Sequence, residues 1–234
     1  MNKNVILYHG SQQILEVPSF PFKKKPHYDF GQGFYCTTDR ELAMEWACPV
    51  KRDGYVNKYE LKTENLKVID LTEPPNNLLS WFAVLLKSRK FDLRSDLNSK
   101  ARVYTLSNFS PVISDADVLI GYRADEVYFA LIEEFFNNNI SLRQLASVFN
   151  AKNAGHQVVL LSEKARDSLT FKGYETADSL RYYYSREKRN ESVLMDFAER
   201  QKVSPAPPDD IYIYDIIREV MRNDDPRIQS NLSE

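Results

Sequence analysis

Short apolar runs in the first third of the chain predict four β-strands, at residues 5–8, 30–37, 55–61 and 66–70. The second of these segments is aromatic and is entered through Gly31 and Gly33. Directly after it, Thr38-x-x-Glu41 matches a capping box and predicts the start of a helix of three turns. The first third is therefore expected to mix strands with one helix.

The middle third has apolar residues at the helical spacing i, i+3, i+4 and i+7. One such stripe begins at Leu78 and another begins at Tyr128. A second capping box, Ser141-x-x-Gln144, predicts a further helix. Strands are predicted at residues 117–121 and at residues 157–161, and the latter reads as a fully buried strand.

The last third changes in composition after Phe171, where charged residues and tyrosines become frequent. Residues from about 175 to 202 are predicted to be helical, and residues 213–220 carry an apolar stripe that predicts a last helix. The stripe consists of Ile213, Ile216, Ile217 and Val220. From residue 223 onward no period is visible, which predicts a frayed, disordered tail.

This order of elements predicts an α+β fold, because early strands, inserted helices and a late strand do not alternate as in a doubly wound sheet. We expect a core domain at residues 1–172. Residues 173–234 are expected to form a helical extension that packs on the core or on a partner protein.

Composition excludes several classes of protein. Of the 234 residues 43% are hydrophobic, and 31 basic against 33 acidic side chains give a net charge of −2. Global disorder is excluded, and the charge argues against a protein that mainly holds duplex DNA. The longest apolar run, residues 81–86, is far shorter than the roughly 20 residues of a membrane helix. We expect a cytoplasmic protein without a signal peptide, a disulfide framework or a metal site.

Familiar catalytic motifs are absent: the sequence has no Walker loop, no G-x-S-x-G elbow and no H-E-x-x-H. Cys36 lies within a predicted strand, which favours a structural role over that of a nucleophile. What remains are polar residues at the edges of elements, namely His9-Gly10, Tyr35 and Gln157. Taken singly, these can be a turn, a half-buried aromatic residue and the polar start of a strand.

Together, in this order, they resemble the ADP-ribosyltransferase superfamily, in the branch of diphtheria toxin and the poly(ADP-ribose) polymerases. That branch has a His-Gly pair at the end of its first strand, matched at residues 7–11. A Gly-x-Gly-aromatic-Tyr segment follows in the family and is matched at residues 30–37. The family then has a late strand that usually opens with Glu, and residues 156–161 match this strand with Gln157 at the position of the Glu. The chain is also similar to an uncharacterised bacterial family of that superfamily, with a second signature block at residues 121–129. The resemblance covers about residues 4–172 and implies a split β-sheet core.

The resemblance implies a binding site for NAD, used as a substrate. Nicotinamide is a flat ring with a carboxamide, so its binder needs a stacking aromatic side chain and a donor–acceptor pair. The backbone of Gly10 would supply the pair, Tyr35 would stack on the ring, and His9 would hydrogen-bond a ribose hydroxyl. Trp46 would be a second stacking residue, or else it packs in the core. Ser11 and Gly33 complete the expected binding set.

The implied reaction breaks the nicotinamide–ribose bond through a transition state in which positive charge grows on the ribose. The family places a glutamate there, whereas this chain has Gln157, which holds a hydroxyl without bringing a charge. Asp125 and Glu126 are candidates for the missing charge, with Asp125 favoured. Their alternative role is that of solvated acids at a helix N-terminus.

The function implied is that of a mono-ADP-ribosyltransferase, a bacterial toxin or defence effector whose acceptor is a protein or a nucleic acid. The resemblance also implies a small antitoxin-like protein as partner. Two alternatives stay open: a non-catalytic NAD- or nucleotide-binding module, and an NAD glycohydrolase. The basic run at residues 23–25 and the tyrosines at 182–184 are interpreted as solvated and helix-packing residues, respectively.

Overall fold

The computed structural model describes residues 4–22, 29–91, 96–123, 125–150, 155–203 and 207–233, with only the backbone of residues 200–203. Strands and helices both contribute to the described chain, which confirms the predicted α+β class. The chain divides into two compact units. The first consists of Met1–Asp70, Ile113–Gly121 and Gly155–Glu191, and the second of Leu71–Val112, Tyr122–Ala154 and Ser192–Glu234.

Two small sheets form the first unit. The strands are β1 (Asn4–Ser11), β2 (Phe34–Cys36), β3 (Gly54–Lys62), β4 (Val68–Asp70), β5 (Val118–Tyr122), β6 (His156–Leu160) and β7 (Leu169–Ala177). One sheet has the order β1-β3-β7 with antiparallel neighbours, and the other has the order β2-β6-β5-β4. In the second sheet β2 pairs antiparallel with β6 and β4 pairs parallel with β5.

The helices are α1 (Arg40–Ala47), α2 (Leu78–Ser88), α3 (Asp96–Asn108), α4 (Glu126–Phe136), α5 (Leu142–Phe149), α6 (Glu163–Asp167), α7 (Ser179–Val203), α8 (Ile213–Arg218) and α9 (Pro226–Leu232). Three of them, α1, α6 and the first half of α7, belong to the first unit. The others, with the end of α7, make up the second unit. No helix in the described ranges is long and apolar enough to cross a membrane.

Buried side chains from both sheets form one hydrophobic cluster in the first unit. Leu7 of β1 and Tyr59 of β3 meet Phe34 of β2 and Val158 of β6 there. The rings of Phe34 and Tyr59 pack edge to face, with 5.7 Å between centroids. Because the side chains of a strand alternate between its faces, this cluster fixes which residues of β1 and β2 point away from it.

Helix α1 packs on the opposite face of the β1-β3-β7 sheet, where its Ala43, Met44 and Ala47 are buried with Val56. The approach is unusually close at Gly54 of β3. A Cβ atom built on Gly54 would lie within 3.0 Å of the backbone carbonyl of Ala47. Only a residue without a side chain allows a helix and a strand to come this near.

The start of α1 differs from the predicted capping box. The N-cap is Asp39 rather than Thr38, and its carboxylate accepts from the backbone N–H groups of Glu41 and Leu42. A carboxylate is favoured at this place because it also meets the positive end of the helix. The helix has 8 residues, which is about two turns and not the predicted three.

The second unit is helical and has an aromatic core. Trp81 and Phe82 of α2 pack against Phe149 of α5, with ring centroids 5.1 and 6.3 Å apart. The helices predicted from the stripes at Leu78 and Tyr128 are confirmed. The capping box at Ser141 is confirmed with both of its reciprocal hydrogen bonds.

The predicted last helix exists as α8, which packs against α3 in the second unit. Ile213 and Ile216 of its stripe are fully buried, whereas Val220 lies beyond the helix and is exposed. Val220 has a φ of 56°, so the chain turns sharply there. The apolar stripe is therefore covered within the chain over its first half only.

The structure departs from the predictions most after residue 168. Residues 175–177 belong to strand β7, not to a helix, and the predicted domain boundary at 172 falls inside that strand. Residues 226–232 form α9 instead of a frayed tail. Asp225 caps this helix and Pro226 occupies its first turn, a pair that is typical of a helix start. The prediction overlooked this start because the segment has no apolar period. The Asn231 side chain accepts from the N–H of Ile211 and donates to the carbonyl of Asp209.

Replacing Gly54 tests the close packing of α1. We expect Gly54→Ala to lower the free energy of unfolding by about 1–3 kcal/mol, because the new methyl group must push the end of α1 away. Urea denaturation measures the change. The matched control is Val50→Ala, a truncation of a side chain that is 55% exposed just beyond α1. The control should stay within about 0.5 kcal/mol of the parent, and an equally stable Gly54→Ala protein would contradict the packing described.

Candidate functional site

The two sheets of the first unit meet at one backbone bridge between β1 and Thr37, the residue that follows β2. Tyr8 and Thr37 exchange both of their backbone hydrogen bonds, at 2.8 and 3.0 Å. Because successive residues of a strand direct their backbone groups to opposite sides, Gly10 directs its N–H and C=O to the same side as Tyr8. Beyond the bridge, the backbone edge of Gly10 therefore faces the gap between the sheets.

His9 spans this gap with its side chain. Its Nδ1 lies 2.6 Å from the backbone oxygen of Tyr35, and its ring stacks on Phe34 with centroids 4.4 Å apart. A carbonyl oxygen only accepts, so Nδ1 carries the proton of this bond. In the neutral ring Nε2 is then the acceptor, and the contact with Tyr35 fixes both the tautomer and the ring orientation.

Tyr35 is held by its own hydroxyl group. That hydroxyl donates to the carbonyl of Gly31 at 2.8 Å and accepts from the N–H of Phe30 at 3.0 Å. Both bonds go to the segment that leads into β2, so the ring lies along the glycine-containing loop. The glycines before Tyr35 thus belong to a built loop that positions the ring.

Strand alternation sorts the candidate residues onto two faces. Phe34 and Val158 point into the core between the sheets, and His9 joins them by stacking on Phe34. Tyr35 pairs with Val159, two positions from Gln157, so Tyr35 and Gln157 project on the opposite face. The N–H and C=O groups of Gly10 are directed toward the β2 edge of this sheet, between its two faces.

Gln157 has an acidic partner that the sequence analysis missed. Its Nε2 donates to a carboxylate oxygen of Asp29 at 2.6 Å, and both residues are only 6% exposed. Asp29 precedes the Gly31-x-Gly33 loop and is 128 positions from Gln157. No local pattern predicts a contact over that separation. The one indication in the sequence was an acidic residue directly before a glycine-containing loop, which is typical of a functional site.

Asn57 was missed as well, and it supports the chain directly after His9. This fully buried side chain donates to the carbonyls of His9 and Gln13, at 3.3 and 3.1 Å, and accepts from the N–H of Leu15 at 2.8 Å. The signal was present, because an amide in the middle of an apolar strand needs partners. Asn57 thereby holds the exit of β1 in place.

Gly10 has a second role that the sequence analysis did not foresee. A Cβ atom on Gly10 would lie 2.6 Å from the backbone nitrogen of Ala47 and 2.8 Å from Cβ of Trp46. The absent side chain therefore makes room for α1, while the backbone edge remains directed to the gap. The same contact places the half-buried Trp46 beside Gly10.

Gly33 and Ser11 have local structural roles. A Cβ atom on Gly33 would lie 2.5 Å from a methyl group of Val159, so this glycine lets the loop rest on β6. The Ser11 hydroxyl accepts from the N–H of Gln13 at 3.1 Å and shapes the turn after β1. Their predicted contacts with NAD stay predictions.

Cys36 is fully buried, and burial raises the pKa of its thiol far above the ordinary value. A neutral thiol in the core is a poor nucleophile, which agrees with the structural role expected from the sequence. Among the described residues, no group of three or more His, Cys, Asp and Glu side chains could hold a metal ion.

Asp125 and Glu126 belong to the second unit, at the start of α4. The Asp125 carboxylate lies 3.7 Å from the guanidinium of Arg123, which is almost completely buried. Glu126 is exposed in the first turn of the helix. The role of Asp125 toward NAD stays a prediction, and its ion pair with Arg123 is a structural reason for an acid at this position.

The tyrosines at residues 182–184 contact α1 and Lys51. Residues 23–25 lie outside the described residues. Tyr182 is buried against α1, and its hydroxyl donates to Glu41 at 3.2 Å, which supports the helix-packing interpretation. The ammonium of Lys51 lies over the rings of Tyr183 and Tyr184, 5.6 and 5.2 Å from their centroids.

Comparison with known proteins identifies a family that covers most of the chain. The family described as "Protein of unknown function (DUF3990)" matches residues 5–171. The matched range contains the whole of the candidate site, from His9 to Gln157. No curated protein and no solved structure matches the chain.

Replacing Asn57 tests the support behind His9. We expect Asn57→Leu to lower the free energy of unfolding by about 2–4 kcal/mol, because three hydrogen bonds worth roughly 1 kcal/mol each are lost. The matched control, Asn4→Leu, alters an exposed asparagine at the start of β1, the strand that contains His9, and should change stability little. Urea denaturation compares the two, and equal stabilities would show that Asn57 does not hold the segment.

Proposed function

The chain belongs to the DUF3990 family, and we propose that it is an NAD-dependent mono-ADP-ribosyltransferase. The observation that carries the proposal is the backbone edge of Gly10 at the gap between the sheets. Around it lie His9 on one face and Tyr35 with Gln157 on the other. This is the set of residues on which the resemblance to ADP-ribosyltransferases rests.

The Gly10 edge fits the carboxamide of nicotinamide. A primary carboxamide has one acceptor oxygen and N–H donors, the same complement that a paired strand presents. The ligand would pair with the N–H and C=O of Gly10 as a further strand residue would. Tyr35 lies on the face beside that edge, and Trp46 next to Gly10 would give the nicotinamide ring a second aromatic neighbour.

His9 is suited to bind the ribose. Its Nδ1 proton is committed to the carbonyl of Tyr35, so Nε2 of the neutral ring would accept from a ribose hydroxyl. The stacking on Phe34 keeps the imidazole from rotating. The ligand would thus be held at its nicotinamide by backbone groups and at its ribose by a preset imidazole.

In the proposed reaction the bond between C1′ of the ribose and N1 of nicotinamide breaks, and its electron pair stays on the nicotinamide. The cationic ribose is then attacked at C1′ by a nucleophile of the acceptor, which loses a proton as the new bond forms. Gln157 would hold the 2′-hydroxyl and so orient the ribose. We assign a single transfer and no polymer, because the glutamate that the polymerases have at this position is replaced.

Two alternatives use the same site. With water as the nucleophile the protein would be an NAD glycohydrolase, and without turnover it would be an NAD-binding module. The uncharged Gln157 is the observation that favours the second. A macromolecular acceptor, a role as toxin or defence effector in the cytoplasm and a small protein partner rest on the resemblance alone.

The binding site is tested with two substitutions, each measured on protein that stays folded. Tyr35→Ala removes the stacking ring, and His9→Asn keeps a donor near the Tyr35 carbonyl while removing Nε2. We expect each to weaken NAD binding several-fold or more in calorimetry, since a stacking contact or a hydrogen bond is worth on the order of 1 kcal/mol. Tyr55→Ala is the control, because Tyr55 is another half-buried strand tyrosine, packed on Tyr174.

Incubation with NAD labelled in its adenylate part separates the three functions. Label on a protein or nucleic acid from a cell extract supports transfer, whereas free ADP-ribose with no labelled macromolecule supports the glycohydrolase. Binding without any nicotinamide release supports the non-catalytic module. NAD affinity that stays unchanged in folded His9→Asn and Tyr35→Ala proteins would contradict the site itself.

A further inference from the structure

We propose that Asp29 and Gln157 act as one unit, in which the Asp29 carboxylate supplies the negative charge that Gln157 lacks. The inference rests on the proposed function, because the charge matters only if the ribose becomes cationic. It makes Asp29 a positioning residue that acts through Gln157. Asp125, the candidate favoured by the sequence, is then not required for this purpose.

The contact between the two side chains supports the pairing. The Gln157 amide donates from Nε2 to the Asp29 carboxylate at 2.6 Å, and both residues are almost fully buried. Hydrogen bonds to an ionised acceptor are stronger than neutral ones. Burial excludes water, which would otherwise screen the charge and compete for the amide.

The bond also orients the amide. Because Nε2 is directed to Asp29, Oε1 is directed away from it, and Oε1 can only accept hydrogen bonds. A ribose 2′-hydroxyl would therefore meet an acceptor oxygen. A carboxylate on the donor side of an amide makes the amide oxygen more negative, since linked hydrogen bonds polarise one another. The Asp29–Gln157 pair then presents to the ligand an acceptor that resembles one oxygen of a glutamate.

The electrostatic consequence is specific to the transition state. In bound NAD the positive charge lies on the nicotinamide ring, and as the bond breaks it moves onto the ribose that Gln157 would hold, so a carboxylate beside Gln157 stabilises the transition state more than the bound substrate. Removing the charge should therefore slow bond cleavage much more than it weakens NAD binding. If the bond between Asp29 and Gln157 only held the segment before the loop on β6, its loss would instead weaken NAD binding and lower thermal stability together.

The test moves the charge from one residue to the other. Asp29→Asn keeps the size of the side chain and an oxygen that can accept from Gln157, but it removes the charge. The double variant Asp29→Asn with Gln157→Glu returns one carboxylate to the pair on the other side. Single-turnover nicotinamide release, NAD affinity by calorimetry and thermal melting are measured on both full-length variants.

The matched control is Asp117→Asn. Asp117 is another largely buried carboxylate that accepts at 2.6 Å, from the hydroxyl of Ser162 just beyond the opposite end of β6. Like Asp29→Asn, this substitution removes the charge of a largely buried carboxylate and keeps an oxygen that can accept, but it lies away from the candidate site. We expect nicotinamide release from this variant at the parental rate.

We expect Asp29→Asn to release nicotinamide about 10- to 100-fold more slowly than the parent, with a much smaller loss of NAD affinity. The double variant should recover most of that loss. A folded Asp29→Asn variant with the parental rate, or a double variant no faster than Asp29→Asn, would overturn the pairing while the proposed function stands. A parent protein that releases no nicotinamide would overturn both.

Discussion

The separation of β1 from β2 beyond the Tyr8–Thr37 bridge is the constraint on which the candidate site depends. Strand β1 belongs to one sheet and β2 to the other, and the described residues join them by this one backbone pair. An unpaired strand edge is normally a liability, since its N–H and C=O groups need partners. Here the His9 imidazole takes the carbonyl of Tyr35, and the Gly10 edge is turned to the gap. The proposed ligand would satisfy the same backbone need.

The surroundings keep this edge in place from both faces of β1. On one face His9 is stacked on Phe34 and thereby tied to the core between the sheets. On the other face α1 lies so close to β1 and β3 that Gly10 and Gly54 have no room for a side chain. The buried Asn57 fixes the segment after His9. The site is therefore built on regular elements, and its precision follows from ordinary packing.

The sequence predicted those parts of the fold that depend on local spacing. The stripes of α2 and α4 and the capping box at Ser141 were readable because their signals lie within one or two helical turns. The start of α1 was placed one residue early, since Thr38 and Asp39 are both good caps and only packing decides between them. Strand β7 was missed because most of it is exposed and it lacks an apolar run.

The candidate site was predictable where its residues lie close together in the sequence. His9, Gly10 and Tyr35 lie in short motifs, and the structure brings His9 and Tyr35 into contact. Asp29 was not predictable as a partner of Gln157, because the contact is made only when the loop before β2 folds onto the start of β6. The packing role of Gly10 depends on the position of α1, which no spacing within β1 reveals. Long-range contacts thus decide the part of the site that the resemblance leaves open.

The most direct test observes the Gly10 backbone while NAD binds. The sequence holds seven glycines and only one His-Gly pair, His9-Gly10, so protein labelled with carbonyl-¹³C histidine and ¹⁵N glycine gives a single selected amide signal in NMR. We predict that this Gly10 N–H signal moves downfield on titration with NAD, as it donates to the nicotinamide carboxamide. A Gly10 signal that stays in place at saturating NAD would contradict the assignment of the Gly10 edge as the binding site.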